Sequence, residues 1–267
     1  MISRTAMTHS PLTSRLRRIP GLKQGLVVLL AIGILIWLGR LVFGPEHLPD
    51  FKQYTNTQEK KTAFFEYLAP RIADANAPIL EQREKLLKIR EQVAEDGDPG
   101  WLDTRWLKQT LAEYEFDVPD QVELSHVDDL LRRVDIIPPS LIMAQAANES
   151  AWGTSRFARQ GNNFFGMRTH EIGSGIVPKK RAAGAKWEVA AYDSVSEGIG
   201  DYIYTLNTNP AYRQLRNIRR DLRRQNLPLN GQSLAGGLTR YSEKGYEYVS
   251  IIRSMIQSND LRDYDQD

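Results

Sequence analysis

Glu149 is the side chain in this sequence best placed to do acid chemistry. It stands near the end of the run Ala144-Gln145-Ala146-Ala147-Asn148-Glu149-Ser150-Ala151-Trp152-Gly153. On a helix, positions four and seven residues back are Gln145 and Ile142, so Glu149 shares a largely apolar face instead of a solvated one. It also lies close to the helix C-terminus, where the macrodipole disfavours a carboxylate, and helix stability therefore does not explain it. Partial burial and the negative helix end would both raise its pKa, which is what a general acid working near neutrality needs. The ordinary alternative for such a residue is an exposed glutamate in a last turn. None of the four histidines has metal-ligand spacing, there is no cysteine, and no Gly-rich phosphate loop or Ser-His-Asp arrangement occurs. No metal and no cofactor are expected.

The helix that carries Glu149 is opened by Ile136-Ile137-Pro138-Pro139, because Pro139 suits a first helical turn, and it should close near Trp152-Gly153 with the glycine as a left-handed cap. Ser194 with Glu197 forms a capping box for a helix through Ile199, Tyr202, Ile203 and Leu206. Asn209-Pro210 opens a further helix, and Tyr246 to Ile256 supplies the last. Gly173 to Gly184 is Gly-rich without helical period and reads as a loop or short hairpin, with Trp187 to Tyr192 as a possible strand. Upstream, Glu59 to Val93 reads as two amphipathic helices broken near Pro78, followed by a turn at Asp96-Gly97-Asp98-Pro99-Gly100 and helical patches at Trp106–Tyr114 and Val127–Val134.

The chain has 267 residues with 35 Lys+Arg against 33 Asp+Glu. Residues 1–44 hold six basic residues and no acid, leaving 29 basic against 33 acidic in the rest. The slightly acidic body makes nucleic acid a poor partner. Gly25 to Gly39 lacks any charged or amide side chain, and Leu41, Val42 and Phe43 extend the run to 19 residues. That length matches a hydrocarbon core of about 30 Å, with Arg40 reaching toward the outer head groups. Arg15, Arg17, Arg18 and Lys23 precede the run, which keeps the N-terminus inside. No small-x-small site follows it, so an uncleaved signal anchor is favoured over a cleaved signal peptide. The expected layout is a basic N-terminus over 1–24, a transmembrane anchor over 25–43, a linker over 44–58, a helical accessory region over 59–136, a catalytic domain over 137–260 and a tail over 261–267.

The run ending in Glu149-Ser150-Ala151-Trp152-Gly153, together with Asn163-Phe164-Phe165-Gly166-Met167-Arg168, resembles the glucosaminidase domain of glycoside hydrolase family 73. These are bacterial cell-wall hydrolases that include the flagellar peptidoglycan hydrolase and the autolysins. Two further motifs fit: Ala191-Tyr192-Asp193-Ser194 with Glu197 and Asp201-Tyr202, and Tyr241 within Gly237-Leu238-Thr239-Arg240-Tyr241. The resemblance covers about residues 138 to 258. With the anchor and the helical extension added, the chain resembles bacterial Bax-type proteins. The resemblance implies a mainly α (α+β) architecture: a lysozyme-like helical domain with a small β lobe. It also implies a cleft for peptidoglycan glycan strands, with Glu149 as the catalytic acid and Tyr241 placing the N-acetyl group or a water.

The sequence departs from the family where a second acid is common: Ile172 to Trp187 contains no Asp or Glu, only Lys179, Lys180, Arg181 and Lys186. The nearest carboxylates are Glu171 and Glu188. Either the substrate's N-acetyl oxygen attacks, or Glu171 swings in on its loop. Gln145, Trp152, Asn163, Phe165, Gly166, Trp187, Tyr192 and Tyr202 are the candidate substrate contacts; aromatic residues of this kind are more often core, Trp187 beside its polar loop less so. Arginines 213, 216, 219, 220, 223 and 224 read as a solvated helix face, with contact to anionic lipid or glycan phosphate as the functional alternative. Membrane-anchored hydrolysis of β-1,4 bonds at N-acetylglucosamine leads. A lytic transglycosylase using the same Glu, and an inactive glycan-binding scaffold, are the alternatives.

Overall fold

The computed structural model describes residues 48–179, 181 and 184–265, of which Pro49–Asp265 belong to one compact unit. The anchor expected over 25–43 lies outside these residues. Among the described residues, no helix is long and apolar enough to cross a membrane.

The architecture is mostly helical with one small sheet. Helix α1 spans Thr57–Asp96, α2 Gly100–Glu113, α3 Leu124–Arg133, α4 Pro139–Ser150 and α5 Arg156–Gly161. Strands β1 Arg168–Thr169, β2 Gly175–Ile176 and β3 Glu188–Ala190 form an antiparallel sheet in the order β1-β3-β2. Then come α6 Val195–Thr208, α7 Arg213–Arg224, the short α8 Gly231–Leu234 and α9 Tyr246–Ser258.

The two expected amphipathic helices are one: α1 runs 40 residues through both Pro70 and Pro78. A proline inside a helix costs a hydrogen bond, but this helix is held on both sides of each break. Phe64, Phe65, Leu68 and Ile72 are buried on its first half. Leu86, Ile89 and Val93 on its second half join Leu107, Leu111, Val127, Leu130 and Val134 in one core. Arg71 also donates to the Tyr67 carbonyl at 2.6 Å, beside Pro70. Asn56 caps the helix by accepting from the Gln58 and Glu59 amides. Much of the supposed linker is thus structured, and Phe51 is buried edge-on against Phe64 and Tyr67.

Residue 136 marks no break. Asn76 on α1 donates to the Ile137 carbonyl, and α1 packs on α3, α4 and α6 alike. Nor do residues 261–265 hang free: Leu261–Asp265 is a 3₁₀ turn with Leu261 buried. Its Asp265 accepts from the Ser140 amide at 2.9 Å, the Ser140 hydroxyl at 2.6 Å and the Gly231 amide at 3.1 Å. Because the N-cap of α4 is Pro138, whose side chain makes no capping bond, Asp265 supplies from the far end of the sequence the carboxylate that this helix start lacks.

The arginines of α7 are the clearest departure from the sequence reading. Arg216 and Arg219 are buried, and Arg219 is among the largest fully buried side chains. It donates to the carbonyls of Arg132, Arg133, Asp135 and Ile136 and to Asn207 Oδ1. Asp135, equally buried, faces Arg83 at 3.4 Å and Arg223 at 2.8 Å. Arg216, Arg219 and Arg223, expected on a wet helix face, instead knot α1, the C-terminal end of α3, α6 and α7 together, while Arg213 and Arg224 stay exposed. A periodic run of arginines does not reveal that their partners are backbone carbonyls distant in sequence.

Candidate active site

Helix α4 ends at Ser150, one turn earlier than the glycine cap expected at Gly153. Ala151, Trp152 and Gly153 are left-handed in succession, with φ of 51°, 59° and 71°. Two of them carry a Cβ, a conformation that costs on the order of 1–2 kcal/mol per residue. The Ser150 hydroxyl holds this turn by donating to the Ala146 carbonyl and accepting from the Gly153 amide. Backbone strain of this kind gathers at functional sites.

Immediately before that turn, Glu149 is exposed, whereas Gln145 one turn below it is fully buried. The partial burial expected from its apolar face is absent, because at the last turn the carboxylate overhangs the helix end. It is not adrift. Glu149 Oε1 accepts from Tyr248 Oη at 2.8 Å and from Asn148 Nδ2 at 3.0 Å. Tyr248 accepts in turn from Gln145 Nε2 at 2.9 Å, and Gln145 Oε1 accepts from the buried Tyr202 hydroxyl. The bonds run in one direction, from Tyr202 through Gln145 and Tyr248 to the carboxylate, so their dipoles reinforce one another at Glu149.

Tyr241 stacks on Tyr248 with ring centroids 5.3 Å apart and meets Tyr202 edge-on at 6.5 Å; its hydroxyl donates to the Phe165 carbonyl at 3.0 Å. Phe165 stacks on Tyr202 at 4.0 Å. Burial is the largest cause raising the pKa of Tyr202, Tyr241 and Tyr248, and the nearby Glu149 charge adds to it in all three. These hydroxyls stay protonated and act as donors. With its proton committed to Phe165, Tyr241 has acceptor capacity left to offer a ligand.

Gln145, Phe165, Tyr202 and Tyr241 are therefore brought together beneath Glu149, while the other candidate contacts are not. Trp152 packs edge-on against Phe64 and Phe65 of α1 at 5.6 and 5.4 Å. Asn163 is buried and serves the backbone: it donates to the carbonyls of Met167 and Ala190 and accepts from the amides of Phe165 and Met167. Gly166 takes the turn expected of it, with φ of 70°. Tyr192 donates to Asp201, and Trp187 lies under the Arg168 guanidinium, 4.0 Å from its ring centroid. Glu188 is buried and accepts from the Gly173 and Gly175 amides at 3.0 Å each, which pins the lobe hairpin. Glu171 lies on the exposed turn leading into β2, its amide held by the Thr169 hydroxyl. A separate cavity of about 410 Å³, lined by Pro138, Pro139, Met143 and Asp265, lies at the opposite end of α4. That end is about 16 Å from Glu149 at ~1.5 Å rise per residue.

Tyr248 is the site residue that the sequence reading missed. Its signal was present: on α9 it shares the buried face of Val249, Ile252 and Ile256, and a tyrosine in such an aliphatic stripe must find a partner for its hydroxyl. Tyr248→Phe keeps the stack on Tyr241 and removes the bond to Glu149. Removing the orienting bond should lower kcat about tenfold or more with little change in KM, while loss of the acceptor for the buried Gln145 Nε2 lowers stability by about 1–3 kcal/mol. Steady-state kinetics with calorimetry on the same protein checks this.

A carboxyl group at a strained helix end, accepting from oriented hydroxyls, is an arrangement able to exchange a proton with a bound ligand. Residues 124–261 match the glucosaminidase family, mannosyl-glycoprotein endo-beta-N-acetylglucosaminidase, and the chain belongs to that family and to the glycoside hydrolase type of enzyme. It is similar to Protein bax of Escherichia coli, 33% identical over 215 residues that span 79% of this chain and 74% of that protein. Among solved structures it is similar to the catalytic domain of the autolysin Auto from Listeria monocytogenes, at 17% identity and a TM-score of 0.42, covering 96% of this chain and 99% of the other.

Proposed function

We propose that this protein cleaves β-1,4 glycosidic bonds of N-acetylglucosamine-containing peptidoglycan, with Glu149 as the general acid. The observation that carries this reading is the solvent-accessible carboxyl of Glu149, fixed at the end of the directed chain Tyr202–Gln145–Tyr248. In the first step the Glu149 proton passes to the departing glycosidic oxygen as its bond to the anomeric carbon breaks. The substrate's N-acetyl oxygen forms the new bond to that carbon. Water then attacks the same carbon, giving its proton to the Glu149 carboxylate, and the N-acetyl group is released. Commitment of Glu188 to the hairpin favours this single-carboxylate route, and Glu171 is left as the second carboxylate of a two-carboxylate alternative.

The helical body with its three-stranded lobe is read as a lysozyme-like arrangement. Residues 25–43 are read as an uncleaved anchor that holds the enzyme at the outer face of the cytoplasmic membrane. Mass spectrometry of the saccharides released from peptidoglycan by the full-length chain tests the reaction. Reducing N-acetylglucosamine ends are the expected product. An anhydro-sugar end would mean that the sugar's own primary hydroxyl replaced water, making the enzyme a lytic transglycosylase, and no release at all would leave a glycan-binding protein.

A further inference from the structure

The β lobe and the helix before it carry a charge pattern that proton donation at Glu149 does not use. Residues 156–190 hold seven basic side chains against two acidic ones, whereas the remainder of 45–267 holds 22 against 31. One of the two acids, Glu188, is buried and spent on backbone amides, so Glu171 is the one exposed acid within residues 156–190. The lobe is a cationic projection on an acidic body.

The cations are also arranged for use. The Arg168 guanidinium is laid over Trp187. Arg181 donates to the Trp187 carbonyl at 3.1 Å and Arg156 to the Val177 carbonyl at 2.7 Å, while Arg168, Lys179 and Lys186 are exposed. Among the described residues none of these five pairs with a carboxylate, in contrast to the matched arginines around Asp135. Like charges left unmatched in so small a lobe repel one another, and what they produce is a field directed at solvent. The lobe is joined to the site through the backbone: Phe165, whose carbonyl holds Tyr241, precedes Arg168 by three residues, a span of at most about 11 Å.

We propose that this lobe binds carboxylates attached to the glycan strand, through Arg168, Lys179 and Lys186, and so selects carboxylate-bearing glycan over uncharged glycan. The inference rests on the peptidoglycan reading above and names the part of that substrate the lobe recognises. Peptides linked to the strand carry free carboxylates, and a chain of N-acetylglucosamine carries none. Dispersed single cations suit dispersed carboxylates, whereas a phosphate backbone calls for a continuous basic track.

The test uses the full-length chain on intact sacculi and on sacculi whose free carboxylates have been capped as neutral amides with carbodiimide and glycinamide, at low and at physiological salt. The expected result is a kcat/KM about tenfold higher on the carboxylate-bearing sacculi at low salt, an advantage that shrinks as salt rises. Lys179→Glu with Lys186→Glu should bring the ratio near one, and the two Lys→Arg replacements should preserve it. An equal ratio in the parent and the charge-reversed variant, or a parent with no preference, overturns the inference. Tighter competition by RNA or polyphosphate than by peptide-bearing fragments overturns it too. If the parent releases nothing from either substrate, the hydrolase reading fails by itself. Co-sedimentation with the two kinds of sacculi then decides the lobe: binding that prefers carboxylate-bearing sacculi and is lost on charge reversal supports it, and indifferent binding overturns it.

Discussion

Glu149→Gln should reduce saccharide release from peptidoglycan by about 100- to 10,000-fold, the range expected when a positioned acid is removed. The replacement is nearly isosteric, and its amide oxygen can still accept from Tyr248 and Asn148, so the folded site persists while the transferable proton is lost. Because the carboxyl is exposed at a helix end, stability should not suffer, and thermal melting of the variant should match the parent. Glu171→Gln provides the contrast. If the N-acetyl group of the substrate is the nucleophile, that change costs far less than Glu149→Gln; a comparable loss would establish a pair of carboxylates. Equal turnover by the parent and Glu149→Gln would remove Glu149 from the mechanism.

The second large effect concerns folding. Asp135→Ala should destabilise the protein by about 3–5 kcal/mol, the cost of stranding buried partners of a broken ion pair. Here the stranded groups are Arg83, Arg219 and Arg223, whose charges would then face one another. Chemical denaturation checks this, with Arg220→Ala as a control, since Arg220 pairs at the surface with Asp221. The same carboxylate sets an acid dependence. Burial pushes the pKa of Asp135 up, but Arg219, Arg223 and Arg83 outweigh burial and hold it below the usual range. Its contribution is therefore present above the unfolded value of about 3.9 and is lost as pH falls through the lower folded value. Asp265 runs the other way: burial raises it despite the bonds from Ser140 and Gly231, so its contribution is full below its unfolded value and fades as pH rises through the folded one. Asp135→Asn should accordingly flatten the acid limb of an unfolding curve.

Local chemistry was legible in the sequence, and distant partners were not. Ser194 caps α6 as the capping box requires, although Glu197 reaches back to the Asp193 amide instead of the serine's own. The strand and hairpin of the lobe fall where the Gly-rich stretch and Trp187–Tyr192 place them. The unbroken course of α1 past Pro78 depends on what packs against its two halves, and propensity carries no record of that. Arg219 and Asp265 were misjudged for a related reason: their partners lie 84 and 125 residues away. At the site, spacing found Glu149 and Gln145 because both are on one helix. It could not show that the hydroxyl joining them comes from α9, nor that Asn163 spends all its polar atoms on nearby backbone.

The clasp between Asp265 and the start of α4 bears on how the enzyme can be cut down. A fragment trimmed to the family-matched stretch, 124–261, would keep every side chain around Glu149 yet lose both Asp265 and the whole of α1. The Ser140 amide would lose its acceptor, the Gly231 amide would keep only the Ser140 hydroxyl, and the apolar faces that cover Leu130 and Val134 would be gone. Expression boundaries for a soluble enzyme should therefore open before Phe51 and close after Asp265, since the smallest piece that can hold its shape is larger than the piece that carries the catalytic signature.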